Sequence, residues 1–126
     1  MALTVNHPTL KEIWVHGTIP DGSAANTLVC FTSPVRGKII ECRVTNSAVV
    51  DSDRVHTFYI GTGASPVAIT TGAVTCVASG SVIGQSTSVT PTAANAVNEG
   101  DTIQVITDGA GSTATIAVCA VRIQLA

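Results

Sequence analysis

The stretch from residue 98 to residue 126 constrains the fold most, because two β-branched runs flank a glycine-bearing connector. The runs are residues 102–107 and 113–125, and the connector is residues 108–112. This spacing predicts a β-hairpin. In the second arm the apolar residues alternate with polar ones such as Arg122, which predicts one apolar face and one face that is at least partly exposed to solvent. A hairpin with one apolar face needs a second layer to cover it.

The rest of the chain contains further short strand patterns that can supply this layer. Gly, Pro, Asn and Ser separate them, and no helical period persists over about 11 residues. The sequence therefore predicts an all-β fold, a single-domain, jelly-roll-like β-sandwich of about seven to nine strands. The further predicted strands are residues 11–19, 27–32, 38–45, 54–60, 67–71, 73–78 and 81–89, of which 67–71 and 73–78 form one bent strand or two short ones.

Three of these segments give more specific predictions. Residues 27–32 form a continuous apolar run, which predicts a strand buried on both faces. Residues 38–45 alternate, with Ile40, Cys42 and Val44 on the predicted inner face. Residues 91–100 are rich in alanine and have helical potential for a turn or two at most.

The beginning of the chain shows no periodic pattern. Residues 1–9 are predicted to form an extended N-terminal arm ahead of a sandwich domain of residues 10–126. Trp14 has the parity opposite to Ile13 and Val15, which predicts that it points outward and anchors a contact. The candidate interface residues are Leu3, Val5, His7, Pro8 and Trp14.

Composition limits the classes of partner. Charged residues make up only 11% of the chain, against about 25% in an average soluble domain. The six Lys and Arg residues are scattered and the net charge is -2, so no nucleic-acid partner is expected. No apolar run is long enough for a membrane span, and residues 1–10 do not read as a secretory signal, so synthesis in a cytoplasm and no membrane partner are expected.

The four cysteines lie inside apolar or β-branched runs and form no C-x-x-C pair. Free thiols in the core are the favoured interpretation, with one or two disulfides or a metal site as alternatives. No cofactor motif is present, so no cofactor is expected.

The candidates for chemistry each have a simpler interpretation. His56 follows Asp51 and Asp53, but no nucleophile turn accompanies them, so no enzyme is predicted, and solvent-facing or interface positions are expected for His7, His16 and His56. The two aspartates could ligate a hard cation, but a solvated loop is favoured. The segment 61–63, G-T-G, is interpreted as a turn. A carbohydrate site is an alternative that rests on four aromatic residues, Trp14, Phe31, Phe58 and Tyr59.

Three segments together resemble small β-sandwich structural proteins of tailed bacteriophages. They are residues 17–29, G-T-I-P-D-G-S-A-A-N-T-L-V, residues 33–47, S-P-V-R-G-K-I-I-E-C-R-V-T-N-S, and residues 92–105, T-A-A-N-A-V-N-E-G-D-T-I-Q-V. The resemblance implies a non-enzymatic capsid decoration or cement protein on the exterior of the virion. It further implies binding to the major capsid protein and self-association, with a trimer favoured. The alternative is a receptor-binding or glycan-binding accessory module of the head or tail.

Overall fold

The computed structural model describes residues 11–126, and the regular secondary structure of this part of the chain is entirely β-strand. Two antiparallel sheets form a sandwich, as the sequence predicted. One sheet has the order β1-β9-β3-β6 with β7 also paired to β3, and the other has the order β2-β8-β4-β5. The strands are β1 (Glu12–Ile19), β2 (Leu28–Thr32), β3 (Gly37–Asn46), β4 (Arg54–Ile60), β5 (Val67–Cys76), β6 (Ser86–Val89), β7 (Ala96–Val97), β8 (Thr102–Thr107) and β9 (Ala117–Leu125).

The predicted arm, residues 1–9, lies outside the described residues, and so do Leu3, Val5, His7 and Pro8. Their predicted roles as an arm and as interface residues therefore stay predictions. No helix long and apolar enough to cross a membrane occurs in residues 11–126.

The predicted C-terminal hairpin is wrong, although both of its arms are strands. β8 pairs with β2 and β4 in one sheet, whereas β9 pairs with β1 and β3 in the other. Residues 108–116 therefore cross from one sheet to the other. An added Cβ at Gly109, whose φ is +70°, would collide with the Ala25 backbone, so this crossing needs glycine for both conformation and space.

The core lies between the sheets and is built from the alternating inward residues that the pattern indicated. The small Val, Ile, Ala and Cys side chains allow the sheets to pack closely around a single buried Phe. The buried cluster consists of Ile19, Ile39, Cys42, Val44, Phe58, Ile69, Val74, Cys76, Val97, Ile103, Val105, Ala117, Cys119, Val121 and Ile123.

Three local predictions are corrected. β2 is an edge strand whose Leu28 and Cys30 are exposed, not a strand buried on both faces. In β3 a register shift between Ile39 and Glu41 places Ile39 in the core instead of Ile40. Residues 91–100 form no helix, because they supply β7 and a bridge to β5.

Two other predictions about the chain are confirmed. Residues 67–76 form one irregular strand, β5, in which Thr71 has a φ of +62°. All four cysteines are free, as favoured, and Cys42, Cys76 and Cys119 are buried, but the predicted core position is wrong for Cys30, which is exposed on the edge strand β2. Burial raises the pKa of the Cys42 and Cys119 thiols to about 12. These core thiols therefore stay protonated and unreactive at neutral pH.

The register defines two opposite ends of the sandwich. Ile19, Asn46 and Ala117 lie together at one end, where loops 20–27, 47–53, 77–85 and 108–116 meet, and we call it the four-loop end. At the opposite end the described chain begins at Lys11 and ends at Ala126 beside loops 33–36, 61–66 and 90–101. We call this the terminal end.

Candidate functional site

Trp14 is the only tryptophan in the sequence and is 45% exposed on the outer face of the five-stranded sheet. Ile13 and Val15, its neighbours in β1, point inward against the core. The outward position that parity predicted for Trp14 is therefore confirmed. Trp14 is a candidate contact residue, because its large aromatic side chain is about half exposed to solvent and few other apolar groups of its size lie on this surface.

The antiparallel register brings side chains from two further strands beside Trp14. Arg122 of β9 lies directly opposite Trp14, and Glu41 of β3 lies opposite Arg122. In the next row Ala120 lies between His16 and Arg43. We call the surface formed by these two rows the Trp14 face.

Two arginines lie against the indole ring. The guanidinium carbon of Arg43 is 4.9 Å from the centroid of the Trp14 ring, and that of Arg122 is 5.8 Å from it. These distances are within the range of cation–π attraction. They fix the orientation of the ring, while its 45% exposure shows that the arginines leave part of it open.

Glu41 holds both arginines in place. Its Oε2 accepts hydrogen bonds from Nε of Arg43 at 3.0 Å and Nη2 at 2.6 Å. Its Oε1 lies 3.0 Å from Nη2 of Arg122, whose Nη1 donates to Glu12 at 2.9 Å. These charge-assisted hydrogen bonds pre-organise the Trp14 face, whose two rows carry two cations, Arg43 and Arg122, and one carboxylate, Glu41.

A shallow depression of about 290 Å³ lies on this face. It is lined by Trp14, His16, Arg43, Val118 and Ala120. The small Ala120 side chain forms its floor, since the larger residues stand on either side in the same row. The arrangement combines an aromatic surface with fixed hydrogen-bond donors, which suits a flat ligand that offers both apolar and hydroxyl groups.

His56, Asp53 and the segment 61–63, which the sequence also singled out, lie outside the two rows of the Trp14 face. His56 is fully buried, with its Nδ1 3.9 Å from Sγ of Cys76, so the expected solvent-facing position is wrong for His56, whereas His16 is exposed as expected. Asp53 accepts a hydrogen bond from the Ala78 amide. Gly61 and Gly63 have φ values of +131° and +76°, which supports the interpretation of this segment as a turn.

Asp51 is also structural. Its carboxylate accepts hydrogen bonds from the backbone and side chain of Ser112 and from the Thr113 amide, and these hold the pKa of Asp51 well below its usual range. Among residues 11–126 no group of three His, Cys, Asp or Glu side chains is placed to hold a metal ion. The carboxylates of Asp51 and Asp53 are thus occupied by backbone amides of neighbouring loops.

Sequence reasoning found Trp14 but missed Glu41, Arg43 and Arg122 as members of one site. The only available signal was their common outward parity in two separate strands. Parity cannot show which strands are neighbours. Only the sheet order shows that β9 lies between β1 and β3.

No protein-family model and no curated protein matches the chain. Among solved structures, it is similar to part of a glycoside hydrolase family 43 arabinoxylan arabinofuranohydrolase from Bacillus subtilis in complex with cellotetraose, with TM-score 0.60 and 8% identity over 86% of this chain and 21% of that one. It is also similar to the CBM36-1 domain of a multidomain xylanase from the hindgut metagenome of Trinervitermes trinervoides, with TM-score 0.51 and 12% identity over 86% and 77% of the two chains.

A third similar structure is the catalytic unit of a thermostable GH87 alpha-1,3-glucanase from Streptomyces thermodiastaticus. The TM-score is 0.55 and the identity 13%, over 92% of this chain and 26% of the glucanase. The chain thus spans about a fifth of the arabinofuranohydrolase and about a quarter of the glucanase. At these identities the comparisons establish a shared β-sandwich fold and nothing about activity.

Proposed function

We propose that the chain is a non-catalytic carbohydrate-binding module whose binding site is the Trp14 face. The observation that carries the proposal is the half-exposed Trp14 ring in a depression that is also lined by His16, Arg43, Val118 and Ala120. Sugar rings have an apolar face that stacks on an indole and hydroxyl groups that bond to fixed donors.

The fold supports this proposal. One similar structure is a CBM36-1 domain, a carbohydrate-binding module by its designation, and another was solved in complex with cellotetraose. The region similar to this chain is 21% of the arabinofuranohydrolase chain, and the CBM36-1 domain comes from a multidomain xylanase. If the chain is part of a virion, glycan binding at the Trp14 face would make it a glycan-binding accessory module.

The proposal of a non-catalytic role rests on the state of the nearby carboxylates. Glycoside hydrolysis uses two carboxyl groups, one of which donates or accepts a proton while the other acts as nucleophile or base. Glu41, on the Trp14 face, is bound by both arginines, and Glu12, in the neighbouring row, is bound by Arg122. Neither carboxylate is therefore free for this chemistry.

Trp14→Ala is expected to weaken glycan binding at least about tenfold, which corresponds to about 1.4 kcal/mol. The reason is that the substitution removes the stacking surface. Binding of the parent chain to cellotetraose, xylan and α-1,3-glucan is measured by tryptophan fluorescence, since Trp14 is the only tryptophan. The variant has no tryptophan signal, so calorimetry or affinity electrophoresis is used to compare its glycan binding with that of the parent chain.

The matched control is Tyr59→Ala, which removes an aromatic ring from the outer face of the other sheet. This variant should bind as the parent does. Parent binding that Trp14→Ala leaves unchanged would place the glycan elsewhere on the molecule. A parent chain that binds none of the three glycans and no polysaccharide of a bacterial surface would contradict the proposed function.

A capsid decoration protein is the second candidate function. Its support is the low charge of the chain and the aliphatic side chains exposed at the four-loop end, which suit a protein held against other protein surfaces. Imaging of purified particles tests it. Decoration predicts many copies in a regular array over the capsid, a few copies at a vertex or tail tip would favour the accessory module, and absence from particles would exclude both virion roles.

A further inference from the structure

The ion pairs of the Trp14 face present their arginines to solvent more than their shared carboxylate. The side chain of Arg43 is 43% exposed and that of Arg122 is 34% exposed, whereas that of Glu41 is 12% exposed. Glu41 therefore lies deeper than the two guanidinium groups that it binds. A ligand that approaches this face meets cationic hydrogen-bond donors before it meets the carboxylate, which favours an anionic group in the ligand.

The second carboxylate of this outer face lies away from Arg43. Glu12 and Lys38 share the row on the far side of Trp14, and Glu12 pairs with Arg122. That row is two rows from the row of Arg43, which is about 13 Å along the strands. This separation exceeds the Debye length of about 8 Å at physiological salt, so Glu12 has little influence on a ligand beside Arg43.

The depression beside Trp14 has a basic side chain on each side. Ala120 of β9 lies between His16 of β1 and Arg43 of β3, and none of the lining residues found within residues 11–126 is acidic. Neighbouring strands are about 4.8 Å apart, so the backbones of the two flanking strands are about 10 Å apart. A sugar ring placed over Ala120 would have its substituents within reach of both side chains.

Arg43 keeps hydrogen-bonding capacity for a ligand. Its bonds to Glu41 use Nε and Nη2, and Nη1 carries further N–H donors. The contacts with Glu41 and with the Trp14 ring hold the guanidinium in place, so little side-chain entropy is lost when it binds. A planar guanidinium matches the geometry of a carboxylate.

The row on the other side of the depression carries no charge. Val118 of β9 lies there between Thr18 of β1 and Thr45 of β3. The Thr45 hydroxyl lies 2.6 Å from the hydroxyl of Ser86, so this row offers hydroxyl groups beside a small apolar floor. Neutral sugar units of a longer chain could continue along β9 from the depression.

We propose that the glycan bound by the Trp14 face is a polysaccharide that contains uronic acid. The inference rests on the proposed function of carbohydrate binding. One sugar ring stacks on the open part of Trp14, and a carboxylate in the depression accepts hydrogen bonds from Nη1 of Arg43. His16 supplies a second donor from the opposite side. The cation thus selects among glycans that the aromatic ring alone would not distinguish.

The test compares polygalacturonate, alginate and glucuronoxylan, each with its carboxyl-reduced form, which keeps the order of the linkages but carries no charge. Tryptophan fluorescence and calorimetry of the intact chain measure binding. At least one acidic polymer should bind at least about tenfold tighter than its reduced form. Raising the salt from about 0.05 M to about 0.5 M should remove most of this difference, because exposed charges are screened.

Two variants change the charge beside the depression and keep Trp14. Arg43→Gln removes the cation but keeps a polar side chain, and it should abolish the preference for the acidic form. Ser88→Glu places a carboxylate opposite Arg43, at an exposed position of β6. This carboxylate competes for Arg43, so the acidic form should bind at least about tenfold more weakly, while binding of the reduced form stays within about threefold of the parent.

Thr75→Glu is the matched control, because it adds the same charge at an exposed position of β5 in the other sheet. This variant should keep the parental preference. Equal affinity of the parent for acidic and reduced forms would overturn the uronic-acid inference and leave the carbohydrate-binding function in place. A preference that persists in both Arg43→Gln and Ser88→Glu would place the carboxylate elsewhere on the molecule, which overturns the inference as well.

Two further outcomes concern the ligand itself. Dextran sulfate is anionic but has no carboxylate, so it should bind more weakly than the preferred uronic-acid polymer. Equally tight binding would show attraction to any polyanion and would overturn the inference. A parent chain that binds neither the acidic polymers nor their reduced forms would count against the proposed function and the inference together.

Discussion

Arg54→Ala is expected to lower the free energy of unfolding by about 3–5 kcal/mol, because breaking a buried charged network leaves its partners unpaired. Arg54 is the first residue of β4 and is fully buried. Its Nε donates to the Ala110 carbonyl at 2.8 Å, Nη1 to the Thr115 hydroxyl at 2.6 Å and Nη2 to the Thr113 carbonyl at 3.1 Å. Asp51 lies 3.8 Å from Nη2.

These bonds hold the segment that crosses from one sheet to the other. Without Arg54 the carbonyls of Ala110 and Thr113 would be left facing a cavity, and the crossing would lose its anchor on β4. Thermal unfolding followed by circular dichroism should show a midpoint lower by about 10–20 °C. Hydrogen exchange should show faster exchange of the amides in residues 108–116.

Arg36→Ala is the matched control, since Arg36 is exposed and forms no ion pair within residues 11–126. It should unfold within about 0.5 kcal/mol of the parent, as surface substitutions usually do. An Arg54→Ala protein as stable as the Arg36→Ala control would show that the three bonds contribute little to the folded state.

Alternation in the sequence identified most strands but not their partners. Ile103 and Val105 of β8, and Cys119 and Val121 of β9, point into the core as their parity indicated. An alternating strand is equally compatible with either sheet of a sandwich, so proximity in sequence led to a hairpin that does not exist. The deciding contacts are long-range ones, including those of Arg54, and no local pattern contains them.

Low surface charge also limited the prediction of burial. Leu28 and Cys30 of β2 are exposed although they are apolar, whereas Arg54 and His56 of β4 are buried although they are polar. In a chain with 11% charged residues, hydropathy separates inside from outside less clearly than usual. Trp14 was found because both of its neighbours are apolar and inward, but Arg43 and Arg122 reach it only through pairing with β9.

Lowering the pH from 6.5 to 4 is expected to cost about 3 kcal/mol of folding free energy through His56 alone, at about 1.36 kcal/mol for each unit of pKa shift. Burial lowers the pKa of His56 from 6.5 to about 4, and the Arg54 charge adds to this, while Asp108 opposes it. Above pH 6.5 the imidazole is neutral in both states. As the pH falls, the unfolded chain takes up a proton that the folded chain does not, so stability declines until the folded state is protonated too.

His56→Leu tests this assignment, because Nε2 has no hydrogen-bond partner among residues 11–126 and Nδ1 has only the weak contact at 3.9 Å with Cys76. Leucine is apolar and close in size, so stability at pH 7 should change by about 1 kcal/mol or less. Urea unfolding at a series of pH values should show a flatter decline between pH 6.5 and 4 than in the parent. His16→Gln, which alters an exposed histidine, should keep the parental slope. An unchanged slope in His56→Leu would assign the acid sensitivity to other groups, whereas a flat profile would make this one buried imidazole the main acid-sensitive element of the sandwich.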